Sequence, residues 1–265
     1  MYAFRLHKPA TVADAARLLG ENDEASLLAG GQTLIPTLKQ RLANPSDLVD
    51  LGGIPALSGI TVTAGAVSIG AMTRHAQVAE SADVRRAIPA LADLAGGIGD
   101  PQVRNRGTMG GSVANSDPSA DYPAAVIALD ATLHTDRRTI AADQYFRGMF
   151  ETALGADEIL TRIDFRIPDK AAYVKFPNPA SRYAVVGVFV AVFGAKVRVG
   201  VTGAGPCAFR AAGFEDALMK RFATDAFDAV EVPFGNFNND LHASAEYRAH
   251  LVKVLTRRAV AQLTG

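Results

Sequence analysis

A single cysteine, no tryptophan and no excess of either charge set the first limits on this 265-residue chain. Cys207 alone forms no internal disulfide and holds neither a structural zinc nor an iron-sulfur cluster by itself. That usage fits the cytoplasm. Lysine plus arginine equals aspartate plus glutamate, 27 against 27, so no global field draws the chain to nucleic acid or an anionic membrane. No apolar run approaches the roughly eighteen residues of a membrane-spanning helix, and MYAFRLHKPATVADAARLL lacks the basic-then-apolar order of a secretory leader. Nor is there a GxxxxGK phosphate loop, an HExxH pair or a GxSxG elbow. The 49% of hydrophobic residues is enough for a substantial core in one large or two modest domains.

What is present centres on RNRGTMGGSVANSDPSADYPAA, Arg104 to Ala125, where small and polar residues crowd between apolar segments. Gly110 and Gly111 permit positive φ and let a bulky ligand approach main-chain N–H groups, which suit a phosphate. A second pair, Gly30-Gly31 in LLAGGQTLIP, follows an apolar run and leads into a helix with Leu34, Leu38 and Leu42 along one face. That order puts the Gly31, Gln32 and Thr33 amides near a helix N-terminus, where anions are favoured. Either pair alone reads equally as a tight turn; together they point to one large anionic ligand.

Taken in order, YAFRLH is a short strand, Thr11 caps a helix that Gly20 ends in a left-handed exit, and ASLLAGG is a buried strand. DLVDL and ITVTAGAVSIGA add strands, and RHAQVAES and DVRRAIPALADLAGGIG read as helical, Pro89 opening the second half of the latter. His75, alone at a helix start, takes a structural rather than catalytic reading, because catalysis needs a positioned partner. Ser119 to Ala128 is a helix with Asp121 in its first turn; the carboxylate either interacts with its own helix end or accepts hydrogen bonds from ligand hydroxyls. TLHT, RTIAA and EILTRIDFRIP complete an α+β region through Pro168 without regular βαβ alternation. Pro177, Asn178 and Pro179 mark a boundary. Beyond it AVVGVFVAVF and KVRVGVTG form an antiparallel hairpin about Gly194-Ala195, FRAAGFEDALMKRF is a helix, and Ser244 caps a final helix with Tyr247, Leu251, Val254 and Leu255 opposite a solvated basic face. GAGPCA is not a dinucleotide fingerprint: Pro206 interrupts it, the preceding hairpin is antiparallel, and the following helix starts too late.

AGGQTLIPTLKQRL, Ile69-Gly70-Ala71, TMGGSVANSDPSADYPAA, DEILTRIDFRIP, YVKF, VTGAGPCAFRAAGFE and SAEYRAHLVKVLTRRA together resemble the FAD-binding subunits of molybdenum hydroxylases over essentially the whole chain. The resemblance is strongest to the medium subunit of aerobic carbon monoxide dehydrogenase and extends to the flavin domains of xanthine dehydrogenase and aldehyde oxidase. It implies an α+β chain in two domains. Residues 1–177 would form a two-part FAD-binding domain of the vanillyl-alcohol oxidase (PCMH) type, and residues 178–265 a smaller α+β C-terminal domain of the carbon monoxide dehydrogenase flavoprotein type. Ala29, Gly30, Gly31, Gln32, Thr33 and Leu34 match the loop receiving the FAD diphosphate, and Thr108, Gly110, Gly111 and Ser112 match the second loop. Ile98 falls at an apolar flavin contact, Asp121 at a carboxylate contact, and Leu160 and Lys175 at later contacts. For Lys175 the alternative is a surface-directed strand residue. Tyr183 either covers one face of the flavin or packs at the boundary.

The resemblance further implies an electron-transfer subunit with FAD as cofactor, no catalytic residue of its own and no metal. Its partners would be a small subunit with [2Fe-2S] clusters and a large subunit with the molybdenum cofactor, paired as a dimer of heterotrimers. A stand-alone FAD oxidoreductase and a flavin-free scaffold subunit are the alternatives.

Overall fold

The computed structural model describes residues 1–265, and its first fifty residues alternate strand and helix. Strand β1 (Arg5–His7), helix α1 (Val12–Gly20), β2 (Ala25–Leu28), α2 (Leu34–Lys39) and β3 (Asp47–Asp50) build a parallel sheet of order β1-β3-β2. The expectation of no βαβ alternation is therefore corrected for this part. Its strands are only three or four residues long; each is legible singly, but their parallel pairing joins residues far apart in sequence, which no local pattern reports. Thr11 caps α1 as expected, its hydroxyl accepting from the Asp14 amide at 3.1 Å. Gly20 makes no left-handed exit: it stays inside α1, and Glu21 ends the helix in right-handed geometry. Leu42 is also corrected. Helix α2 stops at Lys39, so of the three leucines Leu38 is buried while Leu42 is 74% exposed. The buried Asp47 carboxylate ties the sheet together, accepting from Arg5 at 2.9 Å and Asn22 at 2.7 Å and pairing with His7 at 2.5 Å.

The next layer is antiparallel. β4 (Ile60–Val62) and β5 (Ala66–Gly70) form a hairpin and are followed by α3 (His75–Glu80), α4 (Ala82–Ala87), α5 (Pro89–Gly96) and α6 (Pro101–Arg104). Pro89 occupies the first turn of α5, where its missing N–H has no intrahelical partner to lose. Then come α7 (Met109–Asn115), α8 (Tyr122–Ala128), β6 (Thr132–Thr135), β7 (Thr139–Ala141), the hairpin β8 (Phe146–Gly148) and β9 (Glu151–Thr152), and β10 (Leu160–Arg166). Five of these strands join in the order β4-β5-β10-β6-β7. One face buries Val67, Ile69, Leu133, Ile163 and Phe165 beneath Leu91, Leu94, Val113 and Val126 of the helices.

Four strands, β11 (Lys170–Pro177), β12 (Ala184–Phe193), β13 (Lys196–Thr202) and β14 (Phe209–Arg210), form a meander, with α9 (Ala212–Lys220) and α10 (Ala245–Thr264) after it. All ten residues of β12 are buried. Val186, Val188 and Val190 face Leu251 and Leu255 of α10, while Phe189 and Ala191 join the first core. An unbroken apolar run is what a strand covered on both faces requires. Strand β11 precedes the expected boundary at 177/178 yet belongs to the sheet that follows it, and Pro177 to Pro179 begin the turn between two of its strands.

Ser244 caps α10 through the Tyr247 amide at 3.1 Å. The expected solvated basic face is corrected at Arg248, which is buried. Its guanidinium donates to the Val185 carbonyl at 2.6 Å, the Gly203 carbonyl at 2.9 Å and the Asp240 carboxylate at 2.8 Å. The carbonyls at the ends of β12 and β13 thus find their donor in a helix side chain. Arg248→Ala removes that donor and should lower the unfolding free energy on the order of 3 kcal/mol. A urea titration measures it, and a loss under about 1 kcal/mol would mean that other donors satisfy these carbonyls.

Candidate functional site

A cavity of about 630 Å³ lies where the parallel layer, the helices and the turn before β12 meet, within the roughly 300–1,000 Å³ range of ligand clefts. Every residue expected at the site lines it except Lys175: Ala29 through Leu34, Ile98, Thr108, Gly110, Gly111, Ser112, Asp121, Leu160 and Tyr183. Segments far apart in the chain therefore converge on one space.

The first loop runs from β2 into α2 with Gly31 at φ 72°, a left-handed conformation suited to glycine. The amides of Gly31, Gln32, Thr33 and Leu34 donate to no protein acceptor. They are free for an anion. The second loop differs from expectation. Gly110 and Gly111 have no positive φ; they form the first turn of α7. Their amides are also engaged, Gly110 donating to the Ala71 carbonyl at 2.8 Å and Gly111 to the Thr108 hydroxyl at 3.2 Å. A Cβ on Gly110 would collide with Ala71, and one on Gly111 would crowd the Thr108 cap. These glycines let α7 press against the end of β5 and the first loop. In the second loop, the Thr108 amide has no protein partner.

Of the glycines in the two loops, Gly30 makes the closest approach. A Cβ there would overlap the Arg106 carbonyl and Gly107 Cα, so the two glycine loops touch backbone to backbone. Opposite them, the segment from Asp117 to Asp121 is held from the four-stranded C-terminal sheet. Thr202 donates its hydroxyl to the Ala120 carbonyl at 2.7 Å, and the Gly203 and Ala184 amides donate to Pro118 and Ser119 carbonyls at 2.7 and 3.2 Å.

Asp121 occupies the N-cap position of α8 but makes no capping bond, which removes the helix-end reading. Its buried carboxylate accepts from the Tyr173 hydroxyl at 2.6 Å and faces the Lys175 ammonium at 2.8 Å. Burial pushes the Asp121 carboxyl up, opposed by Lys175 and Tyr173; burial and the adjacent carboxylate hold the Tyr173 proton in place as donor. Lys175 is no surface residue, its side chain being 12% exposed. It stands behind Asp121 rather than in the cavity wall and also donates to the Gly97 and Arg182 carbonyls at 3.0 Å. Tyr173 was missed from sequence, although strand period puts it on the face of Lys175.

Ile98 and Leu160 supply apolar wall. Tyr183 is 46% exposed at the rim, and its hydroxyl has no hydrogen bond. Its placement follows from the turn at Asn178, whose side-chain oxygen accepts from the Ala180 and Ser181 amides at 2.9 and 3.1 Å. His75 and Asp117 also line the cavity without having been expected there. Nothing in the sequence distinguishes His75 from an ordinary helix-start residue. The arrangement combines free amides, a carboxylate and an apolar wall, which suits a ligand with anionic, hydroxylated and flat apolar parts.

Two measurements separate packing from ligand contact. Gly30→Ala should lower the thermal midpoint of the flavin-free protein by several degrees, because the collision with Arg106 exists without ligand. An unchanged midpoint accompanied by weaker FAD binding would instead assign Gly30 to ligand clearance alone. For the buried pair, Asp121→Asn and Lys175→Met should each cost on the order of 3 kcal/mol, and the double variant should cost less than their sum by at least about 1 kcal/mol. Additive losses in a denaturant series would mean that the two side chains act independently.

Residues 2–170 match the model of the FAD binding domain in molybdopterin dehydrogenase. The nicotine 6-hydroxylase medium subunit of Paenarthrobacter nicotinovorans is 34% identical, over 98% of this chain and 97% of that one. The carbon monoxide dehydrogenase medium chain of Hydrogenophaga pseudoflava is also 34% identical, over 97% and 96%. Among solved structures, reconstituted CO dehydrogenase from Oligotropha carboxidovorans superposes with a TM-score of 0.90 at 33% identity, covering 98% of this chain and 97% of that chain. By its sequence and by its mixed helix and sheet architecture, this chain belongs to the family of FAD-binding domains of molybdopterin dehydrogenases.

Proposed function

We propose that this chain is the FAD-carrying electron-transfer subunit of a molybdenum-containing hydroxylase. The observation that carries the reading is the single cavity joining the unpartnered amides of Gly31 to Leu34 with Asp121 and the apolar Ile98 and Leu160. In this reading, those amides receive the diphosphate, Asp121 accepts from a ligand hydroxyl, Ile98 and Leu160 keep water from the flavin, and Tyr183 covers its open face. Thr108, Ser112 and the Gly110-Gly111 turn shape the second wall. Lys175 acts through Asp121. Bound FAD exchanges electrons singly or in pairs, which lets it join a one-electron donor to a two-electron acceptor.

The flavin part we read as the two-part vanillyl-alcohol oxidase (PCMH) type, its parts being the parallel sheet and the five-stranded antiparallel sheet. Because β11 pairs with β12, we move the domain division from 177/178 to the start of β11, where the family match also ends. Electrons arrive from the [2Fe-2S] clusters of a small subunit that a molybdenum-cofactor subunit reduces, in a dimer of heterotrimers. Relatives named as medium subunits support this division of labour. Two of them share 34% identity with this chain yet are named for nicotine and for carbon monoxide, which supports placing substrate choice in another subunit. No helix is long and apolar enough to cross a membrane. We place the complex in the cytoplasm, in keeping with the single cysteine.

The isolated protein should therefore bind FAD and bleach with dithionite, yet fail to oxidise carbon monoxide, purines, aldehydes or N-heterocycles. Anaerobic mixing with these substrates, followed by flavin absorbance, tests it. Bleaching should begin only when the iron-sulfur and molybdenum subunits are added. Rapid substrate-dependent bleaching of the isolated chain, with contaminating metal excluded, would sink the relay reading in favour of a stand-alone oxidoreductase.

A further inference from the structure

Buried polar side-chain atoms nearly always have partners, which makes His75 conspicuous. It is 4% exposed, Nδ1 is sealed from solvent without a partner, and Nε2 makes no hydrogen bond to the protein either. The residue nonetheless lines the cavity. One side of the ring lies against Tyr122, centroids 5.4 Å apart. Its Nε2–Cδ2 edge faces Gly107, where a Cβ would come within 2.5 Å of Nε2. The missing side chain leaves that edge open.

Burial and the nearby Arg104 charge lower the His75 pKa to about 4, so the imidazole is neutral at neutral pH and carries one N–H. A buried N–H without an acceptor is rarer and more costly than a buried lone pair without a donor. The hydrogen therefore belongs on Nε2, and the lone pair on sealed Nδ1. Gly30 presses on the Arg106–Gly107 peptide, next to the loop whose amides from Gly31 to Leu34 are free. A donor on the His75 side of Gly107 thus stands beside the anion-ready end of the cavity.

We propose that His75 is a cofactor-binding residue, a neutral imidazole whose Nε2–H donates a hydrogen bond to a diphosphate oxygen of bound FAD. The proposal rests on the FAD reading and adds a residue that the glycine loops do not supply. Gly107 is its accessory, since any side chain there would cover Nε2.

The test uses the full chain freed of flavin. His75→Phe keeps a planar ring and loses both nitrogens; His75→Gln keeps an N–H donor. Titrations followed by flavin fluorescence should show FAD bound about tenfold more weakly by the phenylalanine variant, a loss of about 1.4 kcal/mol, and partial recovery in the glutamine variant. ADP, which has the diphosphate without the flavin, should lose the same factor in calorimetric titrations. Nitrogen-15 NMR of histidine-labelled wild-type protein at neutral pH should show the Nε2–H tautomer, with the signal shifting on addition of ADP. This measurement stands even if a variant fails to fold. FAD affinity within twofold of wild type in a folded His75→Phe protein would overturn the proposal, as would the Nδ1–H tautomer. A loss for FAD without one for ADP would overturn the diphosphate assignment. Failure of the wild-type protein to bind FAD at all would count against the cofactor reading, a separate result.

Discussion

Backbone contact between Gly30 and the Arg106–Gly107 peptide is the constraint on which the cavity depends. It joins the end of the parallel layer to the antiparallel layer without a side chain between them, and main-chain groups of both segments come to line one space. Close packing makes such a contact intolerant of even one added carbon. The consequence is an anion-receptive surface made of amides, fixed by backbone geometry and independent of side-chain rotamers. His75 also lies against Gly107 of that peptide, so the buried imidazole and the free amides share one stretch of backbone as neighbour.

The C-terminal sheet completes the cavity from the other side. Thr202 and the Gly203 and Ala184 amides engage carbonyls from Pro118 to Ala120, the stretch that delivers Asp121. Lys175 and Tyr173 from β11 then hold the carboxylate. A buried carboxylate without those donors would be protonated or displaced. Its availability to a ligand therefore depends on the C-terminal sheet being docked. Arg248 extends the dependence outward, because it satisfies the Val185 and Gly203 carbonyls next to the strand ends that make these contacts.

Much of this was legible from residue types. Thr11 and Ser244 announced their helices because a hydroxyl can satisfy a free amide where the helix begins, and the apolar runs about Gly194-Ala195 announced the hairpin of β12 and β13. Other features were not legible for identifiable reasons. A glycine pair reveals that no Cβ is present but not what occupies the space: at Gly30 it is the Arg106–Gly107 backbone and at Gly110 it is Ala71, while the free amides lie from Gly31 onward. Arg248 contradicts the amphipathic reading because its burial is decided by carbonyls on two strands far away in sequence. Asp121 was undecided between helix end and ligand because its partners, Tyr173 and Lys175, lie on a strand some fifty residues later. His75 shows the same difficulty. Its environment comes from Gly107, Arg104 and Tyr122, three positions that no local pattern connects to it.

On the proposed function, the polarity of the cavity would let one chain type serve complexes with unrelated substrates. Its free amides, carboxylate and apolar wall suit an anionic diphosphate, hydroxyls and a flat apolar ring, the parts of the FAD proposed to bind there. A relay subunit of this kind needs to keep its cofactor through many reduction cycles and to hold it at a constant place, and both needs are met by rigid backbone and buried pairs rather than by adaptable side chains. On the proposed division of labour, substrate is chosen in another subunit, away from this cavity. Equal identity to relatives named for nicotine and for carbon monoxide is what that separation of tasks leads one to expect.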